Sequence, residues 1–241
     1  MQNQILNHIK SSKVKGEKML AILLDPDKLK LEIISEIIDK INNQNVDLIF
    51  VGGSTVQKGI TDNCIKEIKK YSNIPVLIFP GDYTQLTDEG DAVLFLSLLS
   101  GNNPEYLVHQ QVKSAPFLKN STLEIIPTGY ILIDGGKETA VQRVSKTLPI
   151  PQNEIEKIIN TALAAQYMGK DLVYLEAGSG ATEPMEVIII KTVSMQLDIP
   201  LIVGGGIRTK EQLENAYKNG ADVVVIGTAF EENLNILQSL K

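Results

Sequence analysis

Ile199-Pro200-Leu201-Ile202-Val203-Gly204-Gly205-Gly206-Ile207-Arg208-Thr209 and, one helical pattern later, Ala221-Asp222-Val223-Val224-Val225-Ile226-Gly227-Thr228-Ala229-Phe230 decide the fold of this chain. Each is a short, β-branched apolar run that stops at glycine and gives way to a helix. An apolar run without alternation reads as a strand buried on both faces, as in a parallel sheet surrounded by helices. Glycine lets backbone N–H groups approach a ligand closely, and the helix that follows offers its positive end. Two such turns from adjacent strands at the end of a chain are where a (β/α)8 barrel of the TIM type holds a phosphate. Without a ligand, the same glycines would be tight turns and nothing more.

Working back from that pair, the alternation of strand and helix spans the chain. A polar opening segment, residues 2–15, carries Ile5, Leu6 and Ile9 at helical spacing and reads as a helix over the barrel bottom. Strand one covers residues 19–24. Asp25-Pro26-Asp27 follows, with Asp27 expected to cap a helix over 28–42. Strand two (46–51) ends in Gly52-Gly53-Ser54-Thr55, a helix covers 56–71, and strand three (74–79) ends in Pro80-Gly81. Strand four (91–96) then begins about ten residues on, barely the minimum for a parallel crossover with its helix. The third helix is therefore expected to be missing or reduced, which would open the wall sideways.

A helix over 103–117 leads to strand five within 123–133, perturbed by Pro127 and Gly129. Asp134-Gly135-Gly136-Lys137 opens a connection that runs to Pro151, too long for a simple turn and a candidate lid. A helix over 153–168 and strand six (170–175) follow. Pro184 is read at the start of a helix that continues to about residue 197, and residues 234–240 form a closing helix. The count is eight strands and about seven helices with no break in composition, hence a single domain over 1–241.

Composition narrows the function. The 241 residues come close to the roughly 250 of one such barrel. A 43% apolar content and a mean hydropathy of +0.02 supply a full core. A net charge of −6 with no basic stripe argues against nucleic acid as a partner. The single cysteine, Cys64, rules out a disulfide framework and fits a reducing cytoplasm. Cys64 lies in a helical stretch and reads as a core residue, and the two histidines, His8 and His109, read as structural or surface groups. Residues 1–18 lack the apolar segment of a signal peptide. The longest apolar run, 92–99, is far below the roughly twenty residues of a membrane span.

The residues with chemistry cluster just after strands, where a barrel's ligand face lies. Asp25 beside a hydroxyl from Ser54 or Thr55 suggests a hard-cation site, since Mg²⁺ takes one or two protein oxygens and completes its shell with water and phosphate. The alternative for Asp25 is a helix cap. Glu176 sits between an apolar strand and a glycine-rich turn, where burial would raise its pKa and make it a general base. It would otherwise be a structural carboxylate bound by neighbouring amides. Tyr174 shares its face of the strand, and Ser179 with Gly178 and Gly180 can form a second amide cradle. Arg208 reads as a surface residue.

With these residues in place the chain resembles the geranylgeranylglyceryl phosphate / heptaprenylglyceryl phosphate synthase family, ether-lipid prenyltransferases on a modified (β/α)8 barrel. The likeness rests on Leu24-Asp25-Pro26-Asp27-Lys28, Val51-Gly52-Gly53-Ser54, Phe79-Pro80-Gly81, Leu96-Ser97-Leu98-Leu99-Ser100-Gly101-Asn102, Tyr174-Leu175-Glu176-Ala177-Gly178-Ser179-Gly180-Ala181, Val203-Gly204-Gly205-Gly206-Ile207-Arg208 and Ile226-Gly227-Thr228. The Pro-Ile-Pro connection looks like the second of the family's two groups, which includes bacterial members. The resemblance implies that sn-glycerol 1-phosphate lies along residues 174–180, including Leu175 and Ala177. Its phosphate would meet amides of Ser179, Gly180, Gly205, Gly206, Gly227 and Thr228, and its hydroxyls Tyr174 and Glu176. It also implies that Asp25 and Ser54 bind Mg²⁺, which grips the diphosphate of a polyprenyl donor, geranylgeranyl diphosphate first among them. Glu176 would take the proton of the 3-hydroxyl, and the apolar tail would leave through the weakened wall near residues 79–83. A homo-oligomer, dimer or hexamer, and a transient membrane contact complete these expectations. The rival readings are a phosphosugar isomerase or lyase with Asp25 as a second acid/base, and a non-enzymatic phosphate-sensing barrel.

Overall fold

The computed structural model of the chain describes residues 4–239. Eight parallel strands close into a barrel in chain order: β1 (Met19–Leu24), β2 (Leu48–Val51), β3 (Val76–Ile78), β4 (Ala92–Leu98), β5 (Glu124–Leu132), β6 (Leu172–Glu176), β7 (Leu201–Gly204) and β8 (Val223–Ile226). The continuous apolar runs have the physical origin the sequence suggests, because both faces of each strand are covered. Alternate residues such as Ala21, Phe50, Leu94, Tyr174 and Ile202 fill the interior. Their neighbours Ile22, Ile49, Leu175, Val203 and Val224 pack outward against the helices. Pro127 stands inside β5 without breaking it. Its carbonyl accepts from Asp171 N at 2.8 Å, one residue before β6 begins, so the missing N–H falls where no ladder has yet formed on that side.

The opening helix α1 (Gln4–Lys15) plugs the barrel's N-terminal end; residues 2 and 3 of the expected helix lie outside the described residues. Leu6 and Ile9 enter the interior cluster. The carboxylate of Glu124, first residue of β5, accepts from the otherwise unpaired N–H groups of Ile5 (2.9 Å) and Leu6 (2.8 Å). Lys10 with Asp171 (2.6 Å) and Lys13 with Asp222 (3.0 Å) hold the same face down.

The outer helices are α2 (Ile34–Asn42), α3 (Ile60–Lys69), α4 (Gln110–Leu118), α5 (Ala140–Ser145), α6 (Ile155–Tyr167), α7 (Val187–Ser194), α8 (Lys210–Lys218), α9 (Thr228–Glu232) and α10 (Ile236–Ser239). Several begin later than their sequence pattern suggests. Asp27 caps no helix, because residues 25–30 form a turn held by Asp25, whose carbonyl accepts from Lys28 N and Leu29 N. Helical structure starts there only with a 3₁₀ turn at Leu31–Ile33. Pro184 likewise stands ahead of α7 rather than at its start. Leu240, in the expected closing helix, lies outside the described residues.

The third helix is absent. Between β3 and β4 stands only a 3₁₀ turn, Tyr83–Gln85, in which the Asp82 side chain accepts from Thr84 N. The two strands pair only through Leu77 with Ala92 and Ile78 with Val93. Beyond Val93 the edge of β4 facing β3 is open, and the Gln111 side-chain amide from α4 donates to the Leu96 carbonyl. The connection over 134–151 is ordered. It pairs Ile133 with Ile150 and carries α5, whose start is locked by reciprocal bonds between Thr139 and Gln142.

Candidate active site at the barrel mouth

A cavity of about 540 Å³ occupies the C-terminal end of the barrel. It collects nearly every residue the sequence singles out: Asp25 after β1, Ser54 after β2, Tyr174 and Glu176 on β6, and Gly178, Ser179, Gly180, Gly205, Gly206, Gly227 and Thr228 on the last three loops. Leu175 and Ala177 do not line it. Leu175 packs into the outer layer between sheet and helices, because successive strand side chains face opposite ways.

Glu176 is 7% exposed, and its Oε1 accepts from Gly178 N at 2.7 Å. Burial lifts its pKa above the usual carboxylate value, although Tyr174 and the Gly178 amide work against that rise. The Tyr174 hydroxyl is wholly buried and has no well-aligned hydrogen-bond partner among the described residues. Desolvation, then the neighbouring Glu176 charge, pushes this phenol well above its ordinary pKa, so it is a neutral donor. A buried hydroxyl with only a misaligned carboxylate beside it is costly in a core and natural where a ligand supplies a well-aligned partner. Beneath them lies an aromatic floor. Phe79 stacks on Tyr174 with ring centres 5.5 Å apart, and Tyr130 meets Tyr174 edge-on at 5.4 Å. Tyr130 is absent from the sequence reading, although its place directly across from Tyr174 in the β5–β6 register follows once the strands are aligned.

The glycines divide into two kinds. A Cβ on Gly204 would lie 2.7 Å from Glu176 Oε2, and one on Gly205, with φ of +85°, would lie 2.6 Å from Oε1. These two are glycine because the carboxylate needs the room. Gly227 is different, since a Cβ there would meet nothing of the protein nearer than Leu23 at 3.5 Å. Its bareness leaves space at the mouth that packing does not require. The loops after β6 and β8 join through Ser179 Oγ and Thr228 Oγ1, 2.8 Å apart.

Across the mouth, Asp25 lies against Gly53, where a Cβ would come within 2.8 Å of Oδ1, and its Oδ2 is 3.2 Å from Lys28 Nζ. Lys28 also pairs with Glu231 at 3.0 Å. No cluster of three metal-ligating side chains forms among the described residues. Ser54 lines the same cavity, and a mouth with so few protein oxygens would fit only a cation that keeps most of its shell for water and phosphate. Cys64 is buried, and desolvation pushes its thiol up to about 12, as befits a core residue rather than a nucleophile. Arg208 pairs with Glu232 at 2.6 Å.

The cavity does not end at the mouth. Its walls include both inward Leu94 and Leu96 and outward Val93 and Phe95 of β4, so it wraps around the open edge of that strand. It continues past Tyr83 and Leu86 to Ser114 on α4, as a lateral apolar trough in the place of the missing helix.

Known proteins resemble this chain over nearly their whole length. A geranylgeranylglyceryl phosphate synthase of Zunongwangia profunda is 56% identical over 92% of this chain and 94% of its own. One from Flavobacterium johnsoniae is 48% identical over 99% and 100%. The crystal structure of (S)-3-O-geranylgeranylglyceryl phosphate synthase from Thermoplasma acidophilum, in complex with its substrate sn-glycerol-1-phosphate, superposes with a TM-score of 0.91 at 36% identity, covering 98% of this chain and 95% of that one. With residues 12–241 matching the PcrB family as well, this chain belongs to the PcrB family.

Proposed function

We propose that this protein is a prenyltransferase that joins the 3-hydroxyl of sn-glycerol 1-phosphate to the first carbon of a long-chain polyprenyl diphosphate, with geranylgeranyl diphosphate the expected donor. The carrying observation is the continuity of one cavity, which unites an amide-lined cradle, a buried Tyr174–Glu176 pair and an apolar lateral trough. A phosphosugar isomerase would have no use for the trough, and a sensor would have none for a raised carboxylate beside an unpartnered phenol. The relatives named above, and the bound sn-glycerol-1-phosphate of the Thermoplasma acidophilum enzyme, support the same reading.

In this mechanism the loops around Ser179, Gly180, Gly206, Gly227 and Thr228 receive the phosphate through backbone N–H groups. The neutral Tyr174 hydroxyl donates to a glycerol oxygen, which gives its O–H a well-aligned partner. Glu176 accepts the proton of the 3-hydroxyl as that oxygen bonds to the prenyl carbon and the carbon–diphosphate bond breaks, so pyrophosphate leaves with the electron pair. Asp25 and Ser54 would hold Mg²⁺, whose chemistry is to stabilise the charge of the departing pyrophosphate. Val93, Phe95 and Leu86 shelter the tail from water. A homo-oligomer in a reducing cytoplasm completes the proposal, in keeping with the lone buried Cys64.

The test is incubation of the purified chain with sn-glycerol 1-phosphate and labelled geranylgeranyl diphosphate in Mg²⁺ buffer. An ether product is expected, lost on addition of a chelator and restored by excess Mg²⁺. Failure to transfer label in Mg²⁺ overturns the proposal, and full transfer in the chelator overturns the metal's part.

A further inference from the structure

We propose that the Lys137 ammonium is a direct ligand of the substrate phosphate, an assignment that rests on the function proposed above and adds a cation to its anion cradle. Four cationic side chains line the cavity: Lys28, Lys137, Arg143 and Arg208. Three of them are neutralised within the protein. Lys28 lies 3.2 Å from Asp25 and 3.0 Å from Glu231, Arg143 lies 3.5 Å from Glu138, and Arg208 lies 2.6 Å from Glu232. Lys137 has no carboxylate and no hydrogen-bond partner among the described residues. Lys137 is exposed, yet its side chain turns back over the mouth, because a Cβ added to Gly180 would lie 2.8 Å from Nζ and 3.7 Å from Thr228 Cγ2. The ammonium therefore hangs over the pair of loops that Ser179 and Thr228 tie together.

The backbone on either side of Lys137 is pinned to the same loop. The Gly135 carbonyl accepts from Thr182 N at 3.0 Å and from Glu183 N at 3.1 Å. Thr139, fixed by its reciprocal bonds with Gln142, packs its methyl where a Cβ on Gly178 would lie, 2.2 Å away. Of the charged side chains that the long connection after β5 brings to the cavity, Glu138 and Arg143 pair with each other, and Lys137 is left uncompensated among the described residues. Physical need points the same way. Backbone amides offer partial charges, whereas a phosphate dianion entering a half-enclosed mouth brings full negative charge into a protein already at −6. An ammonium poised at the amides supplies a charge-assisted bond and balances part of that load.

Calorimetric titration of the full chain with sn-glycerol 1-phosphate tests this without requiring turnover. Lys137→Gln is expected to weaken binding by about tenfold and to flatten its salt dependence, with Lys137→Arg close to wild type. In steady state the same factor should appear in KM for glycerol phosphate, with kcat and the KM of the prenyl donor little changed. Equal titrations for wild type and Lys137→Gln, or a loss confined to the donor, overturn the assignment. A wild-type chain that binds sn-glycerol 1-phosphate but transfers nothing faults the proposed function alone, and the variants still decide the lysine. A wild-type chain that binds neither sn-glycerol 1-phosphate nor inorganic phosphate overturns both.

Discussion

Glu176 shows how a single residue carries two opposed demands. The site needs it as a base, and burial penalises its charge. Glu176→Gln keeps the shape and the acceptor for Gly178 N, so affinity for sn-glycerol 1-phosphate should be largely unchanged while transfer falls by roughly 10²–10⁴. Turnover should be lost as pH falls through the raised pKa, on an acid limb lying above the ordinary glutamate value. The folded protein holds the Glu176 proton more tightly than the unfolded chain does, so stability falls as pH rises through the interval between the two values. Melting curves should therefore show Glu176→Gln equal to or above wild type at neutral pH, with the difference closing in acid. Glu176 and Tyr174 are legible in the sequence because strand alternation alone puts them on one face. Lys137 is not, because its meaning lies in having no partner among the described residues, while Arg208 finds its partner 24 positions away.

At the scale of elements, the strands follow from composition and the helix starts do not. A β-branched run has few alternatives to a doubly covered strand, whereas the first turn of a helix is decided by whichever group satisfies its orphan N–H donors. At residues 25–30 the Asp25 carbonyl and side chain hold a turn that delays α2, which no spacing rule near Asp27 reveals. α1 depends on a partner 118 positions distant, since both oxygens of Glu124 serve its first turn. Removing them in Glu124→Ala should destabilise the fold by about 1–2 kcal/mol, measurable by denaturant titration. Catalytic parameters should be unchanged, because α1 closes the end opposite the mouth.

The whole molecule turns on an omission. With only a 3₁₀ turn between β3 and β4, the barrel keeps its closure through two residue pairs and leaves the rest of β4 edge-open to a trough. Ser114 lies far along this trough on α4, almost fully buried. Ser114→Phe should shorten the space for an apolar tail and move donor preference from geranylgeranyl towards farnesyl diphosphate. KM for glycerol phosphate should be unmoved, as product analysis with donors of graded length would show. Unaltered preference would place the tail elsewhere. The sequence by itself determined the barrel, the missing helix and the ring of loops that bears the site, because periodicity, glycine turns and a ten-residue spacing are local properties of a chain. Tertiary structure alone decided that Gly204 and Gly205 make room for Glu176, that the Tyr174 hydroxyl lies beside Glu176 with no well-aligned partner among the described residues, and that the mouth and the lateral trough are one cavity. Each of those is a matter of distance between groups far apart in sequence, and only the closed sheet sets such distances.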